Sequence, residues 1–222
     1  MSDFAVPRPM ARPDYVFYRT PTNDELRQRA LKGMRDHLSI QWFTRKKLVH
    51  GKTGPVSGKR FIYDANVIFA GLPYTNGDKG LFQFLEYYDH ETGALRFQGD
   101  GDAFNKAMGC TCAGGVMWGW STVCHTLTGV FINFYMVPKW GVYPVGDIKF
   151  PPEIDSFLEY STQRIIEENG LDVILDAYGK CKPADAVTSS PYDHTMMVIW
   201  VIDLYYIVLL LFLPPLLNLF CL

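Results

Sequence analysis

Residues 109–125, GCTCAGGVMWGWSTVCH, constrain the fold more than any other part of the chain. Small residues come first and an apolar run with helical spacing follows, which predicts a helix beginning at about Cys112 and continuing to about residue 127. The positive end of a helix dipole and its unsatisfied amide donors stabilise a thiolate. Gly114 and Gly115 would let a substrate backbone approach closely. Cys112 is therefore a candidate nucleophile, and a small buried hydrophobic side chain is the alternative interpretation.

A metal site is a second interpretation of the same segment. Cys110, Cys112, Cys124 and His125 are thiol and imidazole groups of the kind that bind zinc. Cys124 and His125 are adjacent, however, so on a helix their side chains point about 100° apart and one ion could not easily bind both. The spacing therefore favours a site without a metal, and no cofactor is predicted.

The charge balance and the cysteine count limit the class of protein. The chain has 222 residues, with 21 Lys and Arg against 23 Asp and Glu, so its formal net charge is −2. Because binding to a phosphate backbone needs a basic face, no nucleic-acid partner is predicted. Five cysteines, an odd number without a disulfide-rich spacing, indicate a reducing compartment. No signal peptide is recognised at the start of the sequence, so the localisation is left open, with cytoplasmic as the default prediction and export as the alternative.

The stretch 204–222 has 19 residues and no charge. That length is sufficient to span a membrane. Pro214 and Pro215 would interrupt a spanning helix, and no basic residue follows to anchor its far end. Membrane association through this tail is an open alternative that the sequence does not favour, and an altered or truncated end of a sheet is expected instead.

Local signals predict several elements outside the nucleophile segment. Thr22 and Glu25 form a capping box before a helix whose apolar face would be Leu26, Ala30, Met34 and Leu38. Further helices are expected over 57–70, 80–88, 151–169 and 171–178, and strands over 185–190 and 194–201. The domain division expected is 1–56 for an arm and the capped helix, 57–203 for the main domain, and 204–222 for the tail.

Four short motifs follow one another along the chain. They are GLPYTNG at 71–77, TCAGGV at 111–116, KPADAV at 182–187 and HTMMV at 194–198. Their order resembles that of the NlpC-type cell-wall cysteine peptidases, which have a Gly-x-Pro-Tyr turn, an Asp-Cys-Ser-Gly, a Pro-Gly-Asp and a Gly-His. The resemblance covers roughly residues 61–199. It implies a papain-like α+β fold, with a helical N-terminal half and a nucleophile helix packed on a small antiparallel sheet.

The resemblance also implies roles for single residues. Cys112 is implied as the nucleophile, His194 as the general base, and Tyr74 as a substrate-site hydroxyl near the thiol. Ala113 and Gly114 are implied as neighbours of the bound substrate. The implied activity is hydrolysis of amide bonds in peptidoglycan stem peptides, with a peptide or peptidoglycan fragment as the partner.

The sequence departs from the family pattern at several positions. Thr111, Ala113 and Ala184 stand where the family has Asp, Ser and Gly. The family also has a polar residue that orients the histidine, and here Tyr205, Tyr206 and the poorly matching Asp203 follow instead. The alternative function is therefore a non-catalytic peptide-binding or membrane-anchored module that keeps the cleft.

Overall fold

The computed structural model describes residues 20–50, 61–77, 79–123, 142–154, 160–189, 194–203 and 206–210. The arm at 1–19 and most of the apolar tail lie outside these ranges. The elements in chain order are α1 (Asn23–Ser39), β1 (Gln41–Thr44), β2 (Leu48–His50), β3 (Phe61–Tyr63), β4 (Phe69–Ala70), α2 (Leu81–Leu85), β5 (Ala94–Leu95), α3 (Gly101–Ala107), α4 (Cys112–Ser121), α5 (Thr162–Asn169), α6 (Leu171–Lys180), β6 (Ala186–Ser189), β7 (His194–Asp203) and β8 (Tyr206–Leu210).

The capping box predicted at the start of α1 is confirmed. The Thr22 hydroxyl accepts from the Glu25 N–H at 3.3 Å, and the Glu25 carboxylate accepts from the Thr22 N–H at 2.8 Å. The buried face is displaced from the predicted one, because Leu26 and Leu38 are only half-buried. The buried positions of α1 are Ala30, Leu31, Gly33, Met34 and His37.

The centre of the molecule is formed by α1 and α4 packed together over β7. A Cβ built at Gly119 of α4 would lie 2.9 Å from Met197 Cε and 3.3 Å from Met34 Cβ, so the three elements are in direct contact there. The strands β6, β7 and β8 form one sheet in that order, and the central strand β7 is antiparallel to both of its neighbours. The fold is therefore α+β, with a helix packed on a small antiparallel sheet.

The strands predicted over 185–190 and 194–201 are confirmed as β6 and β7. Part of the apolar tail belongs to the same sheet, because residues 206–210 form β8 and Leu210 pairs with Met197. Among the described residues, no helix has the length and apolar character needed to cross a membrane.

The expected helical N-terminal half is mixed, because strands lie between its helices α1, α2 and α3. The described part of this half includes five short strands, arranged as a β4-β1-β5 sheet and a β2-β3 ribbon. The helix predicted over 57–70 is replaced by β3, a turn and β4 within the described residues 61–70. Asn66 in the turn has φ +61°, which an α-helix does not allow, and Ile62 and Ile68 are 49% and 54% exposed. β-Branched side chains beside a turn favour strands over a helix here.

Two other helices differ from the prediction. Within the helix expected over 151–169, residues 151–154 form a turn, and α5 begins at Thr162 after the N-cap Ser161; residues 155–159 lie outside the described ranges. The helix α3 was not predicted, although Asp100 caps it by accepting from the Ala103 N–H at 2.8 Å. Its Phe104 is fully buried in the core.

The domain boundary at 56 stays a prediction. The helix α1, on the N-terminal side of that boundary, shares one hydrophobic cluster with α4.

Candidate active site

The candidate nucleophile is the first residue of α4. Thr111 before it is extended, with φ −79° and ψ 178°, and its hydroxyl accepts from the Gly114 N–H at 3.4 Å as an N-cap. Cys112 is a thiol, and only 4% of its surface is exposed. Ala113 and Gly114 are also buried in the first turn. The helix start predicted at Cys112 is therefore confirmed, and α4 ends at Ser121 rather than at about residue 127, although 124–127 lie outside the described residues.

The side chain of Tyr74 reaches this thiol. Tyr74 and Cys110 form an isolated parallel bridge, which brings the turn at 71–77 beside the residues that lead into α4. The Tyr74 hydroxyl lies close enough to Cys112 for the side chain and the backbone of that residue to act on the pKa of Tyr74. Two residues with 37 others between them in the sequence are thus brought together.

The environment keeps the Tyr74 hydroxyl protonated. Burial raises the pKa of Tyr74 most strongly, and the negative charge and hydrogen bond of a Cys112 thiolate raise it further. A protonated phenol can donate a hydrogen bond to sulfur or to an oxygen that carries negative charge. Tyr74 is therefore a hydrogen-bond donor in direct contact with the candidate nucleophile.

The candidate base, His194, is the first residue of β7, the strand against which α4 packs. Its backbone pairs with Ser189 of β6. Its Nε2 atom is buried without a hydrogen-bond partner among the described residues, so in this structure Nε2 makes no bond to the Cys112 thiol. Burial lowers the pKa of His194, which favours the neutral imidazole that can accept a proton.

The KPADAV motif joins the sheet to both helices. The Ala184 carbonyl accepts from Trp120 Nε1 of α4 at 2.7 Å. The Asp185 carboxylate pairs with Arg27 of α1 at 2.7 Å and accepts from the Lys182 N–H at 2.7 Å. The motif therefore fixes β6 and β7 against α1 and α4.

Sequence reasoning missed Thr75 and Gly109, which connect the Tyr74 turn to the Cys112 segment. Thr75 is a fully buried polar residue, and Gly109 has φ +81°. The glycine was visible in the sequence, but the contact that it permits is long-range and left no local signal. Arg27, the partner of Asp185, was missed for the same reason.

The metal interpretation receives no support within the described residues. No group of three or more His, Cys, Asp or Glu side chains there is arranged to hold an ion. Cys124 and His125, which completed the candidate set, lie outside the described residues.

Comparison with protein-family models, curated proteins and solved structures gives no match to this chain. The family resemblance therefore depends on the four motifs and on the arrangement of their residues.

Proposed function

We propose that this chain is a cysteine hydrolase of papain-like fold that cleaves amide bonds in peptidoglycan stem peptides. Cys112 is the nucleophile and His194 the general base. The observation that carries the proposal is the pairing of Tyr74 with Cys110, which brings the Tyr74 turn beside Cys112 at the start of a buried helix. Two motifs that are distant in the sequence meet at the sulfur, as the resemblance implies.

The chemistry follows from these groups. His194 takes the thiol proton while the sulfur of Cys112 attacks the amide carbonyl carbon. The Cys112 backbone N–H stabilises the negative oxygen of the tetrahedral intermediate. The carbon–nitrogen bond then breaks, His194 returns the proton to the leaving amine, and a thioester remains. Water, activated by His194, hydrolyses the thioester to a carboxylate and restores the thiol.

The neutral state of the His194 imidazole is compatible with this sequence of steps. A buried imidazole with a lowered pKa is unprotonated near neutral pH and can act as a base. Its Nε2 has no hydrogen-bond partner among the described residues, so no bond within them must be broken before it accepts the thiol proton. Apo enzymes often have loose catalytic hydrogen bonds that tighten when the substrate is bound.

The test is hydrolysis of a synthetic stem tetrapeptide that contains a D-amino acid, with the products measured by mass spectrometry. We expect cleavage by the wild type and by the control variant Cys181→Ala. Cys112→Ala should lose activity by about 10⁴-fold or more, because no thioester can form. A Cys112→Ala protein that cleaves the peptide at the wild-type rate would overturn the proposal.

A non-catalytic peptide-binding module is the second candidate, and one observation favours it. Only 4% of the Cys112 surface is exposed, so a substrate carbonyl has little access to the sulfur in this conformation. Under this alternative the same tetrapeptide binds in calorimetry, Cys112→Ala leaves its affinity unchanged, and neither protein releases a product. Binding without cleavage would therefore favour the peptide-binding module over the hydrolase.

A further inference from the structure

We propose that Thr75 is a positioning residue that holds the Tyr74 hydroxyl against the Cys112 thiol. The inference deepens the proposed function and rests on it for its biological meaning. Its test measures the reactivity of the sulfur and not hydrolysis, so the two proposals can fail separately.

The backbone around Tyr74 is fixed from both sides. The Thr75 N–H donates to the Cys110 carbonyl and the Cys110 N–H donates to the Pro73 carbonyl, both at 3.2 Å. These two bonds enclose Tyr74 and place its backbone beside Cys110, two residues before the nucleophile. The position of the Tyr74 side chain therefore depends on the contact between segments 73–77 and 108–110.

The Thr75 side chain joins these two segments. It is fully buried, and its hydroxyl donates to the Met108 carbonyl at 2.5 Å. The same oxygen accepts from the Gly77 N–H at 3.1 Å, which closes the turn that carries Tyr74. One hydroxyl thus uses its hydrogen and a lone pair in a site from which water is excluded.

Gly109 makes the close approach of the segments feasible. Its φ is +81°, and a Cβ built there would overlap the Pro73 carbonyl oxygen and lie 2.9 Å from Thr75 Oγ1. Its carbonyl accepts from the Lys79 N–H at 2.8 Å. The backbone shape at Gly109 and the hydroxyl of Thr75 therefore support the same contact.

Removal of the Thr75 hydroxyl would act on the sulfur through Tyr74. The Met108 carbonyl and the Gly77 N–H would lose their buried partner, which favours a shift of the turn away from residues 108–110. A hydrogen bond weakens steeply once its distance or angle leaves the normal range, so a small shift would remove the bond from Tyr74 to the thiol. The Tyr74 ring packs on the Phe61 ring, with 5.5 Å between the ring centroids, and this contact supplies no hydrogen bond to replace the lost one.

The experiment measures the rate of Cys112 alkylation by iodoacetamide at pH 8, read from the labelled peptide by mass spectrometry. Tyr74→Phe should lower the rate by about tenfold, the size expected for loss of one hydrogen bond to a charged sulfur. Thr75→Val, which keeps the shape, should lower it by a similar factor. Thr75→Ser, which keeps the hydroxyl, should leave the wild-type rate. Thr75→Val combined with Tyr74→Phe should match Tyr74→Phe alone.

The matched control is Thr44→Val in β1. Thr44 is 2% exposed, and its hydroxyl donates to the Lys46 carbonyl at 2.8 Å and accepts from the Lys46 N–H at 3.4 Å. Its loss should lower the urea midpoint of unfolding comparably while leaving Cys112 alkylation unchanged. If Thr75→Val does not fold, Thr75→Ala, with a smaller side chain, is measured in its place.

Three results would overturn the inference. The first is an unchanged alkylation rate in Thr75→Val or, where that protein does not fold, in Thr75→Ala. The second is an equal fall in the rate in Thr44→Val, which would mean that reactivity follows stability alone. The third is a further fall in the rate when Thr75→Val is added to Tyr74→Phe, which would mean that Thr75 does not act through the tyrosine.

Discussion

Replacement of Gly109 by Ala should be among the most destabilising single-methyl changes in the chain. Its φ of +81° disfavours any side chain, which costs about 1–2 kcal/mol. The added Cβ would also overlap the Pro73 carbonyl oxygen and lie 2.9 Å from the Pro73 carbonyl carbon, so the backbone must move. That movement breaks the two 3.2 Å bonds around Tyr74, each contributing about 1 kcal/mol. The expected loss in the free energy of unfolding is about 3–4 kcal/mol.

Gly93 provides the control. Its φ is +77°, close to that of Gly109, but a Cβ built there would come no nearer than 3.6 Å to the atoms around it, an ordinary contact. Gly93→Ala carries only the backbone penalty, offset partly by the lower entropy of the unfolded chain, so about 1 kcal/mol is expected. Urea unfolding of both variants with a common m value measures the difference. Equal losses for the two variants would refute the role assigned to the contact at Pro73.

Three further predictions follow from charges and titrating groups. Burial lowers the pKa of His37, so the unfolded chain binds a proton below about pH 6.5 that the folded chain does not. Stability should therefore fall as pH decreases, by up to about 1.4 kcal/mol per pH unit, and His37→Gln should reduce this slope in urea unfolding against pH. Arg27→Ala and Asp185→Asn should show a coupling energy of about 1 kcal/mol in a double-mutant cycle of unfolding, because the pair is partly buried at 2.7 Å. Burial and then Asp185 raise the pKa of Cys181 to about 11, so iodoacetamide at pH 8 should label it at least about 100-fold more slowly than an ordinary exposed cysteine, as read by peptide mapping.

Elements with a local signal could be predicted from the sequence. The capping box of α1 needs only two residues three positions apart, and the start of α4 follows from small residues before an apolar run. The strand headed by His194 was predicted from its β-branched and apolar composition after a turn. In each case the deciding interaction lies within a few residues of the chain.

The errors occurred where distant segments decide the structure. Residues 61–63 form a strand because they pair with Leu48–His50, and their apolar side chains alone did not distinguish this from a helix. The same limit applied to the site, where Cys112 and Tyr74 could be named from motifs. Thr75 could not be named, because its partner is the carbonyl of Met108, 33 residues away.

Ala184 keeps a strained backbone conformation between the strand of His194 and the helix of Cys112. The resemblance has glycine at this position, and Ala184 has φ +75°, a conformation that is strained for a residue with a Cβ. The strain, about 1 kcal/mol or more, is opposed by bonds at both of its backbone groups. Its N–H donates to the Val198 carbonyl at 2.8 Å, and its carbonyl accepts from Trp120 at 2.7 Å. Because these bonds connect β7 to α4, they hold the strained turn in place where the strand of His194 meets the helix of Cys112. A glycine, which the family pattern has at this position, would adopt the same conformation without strain.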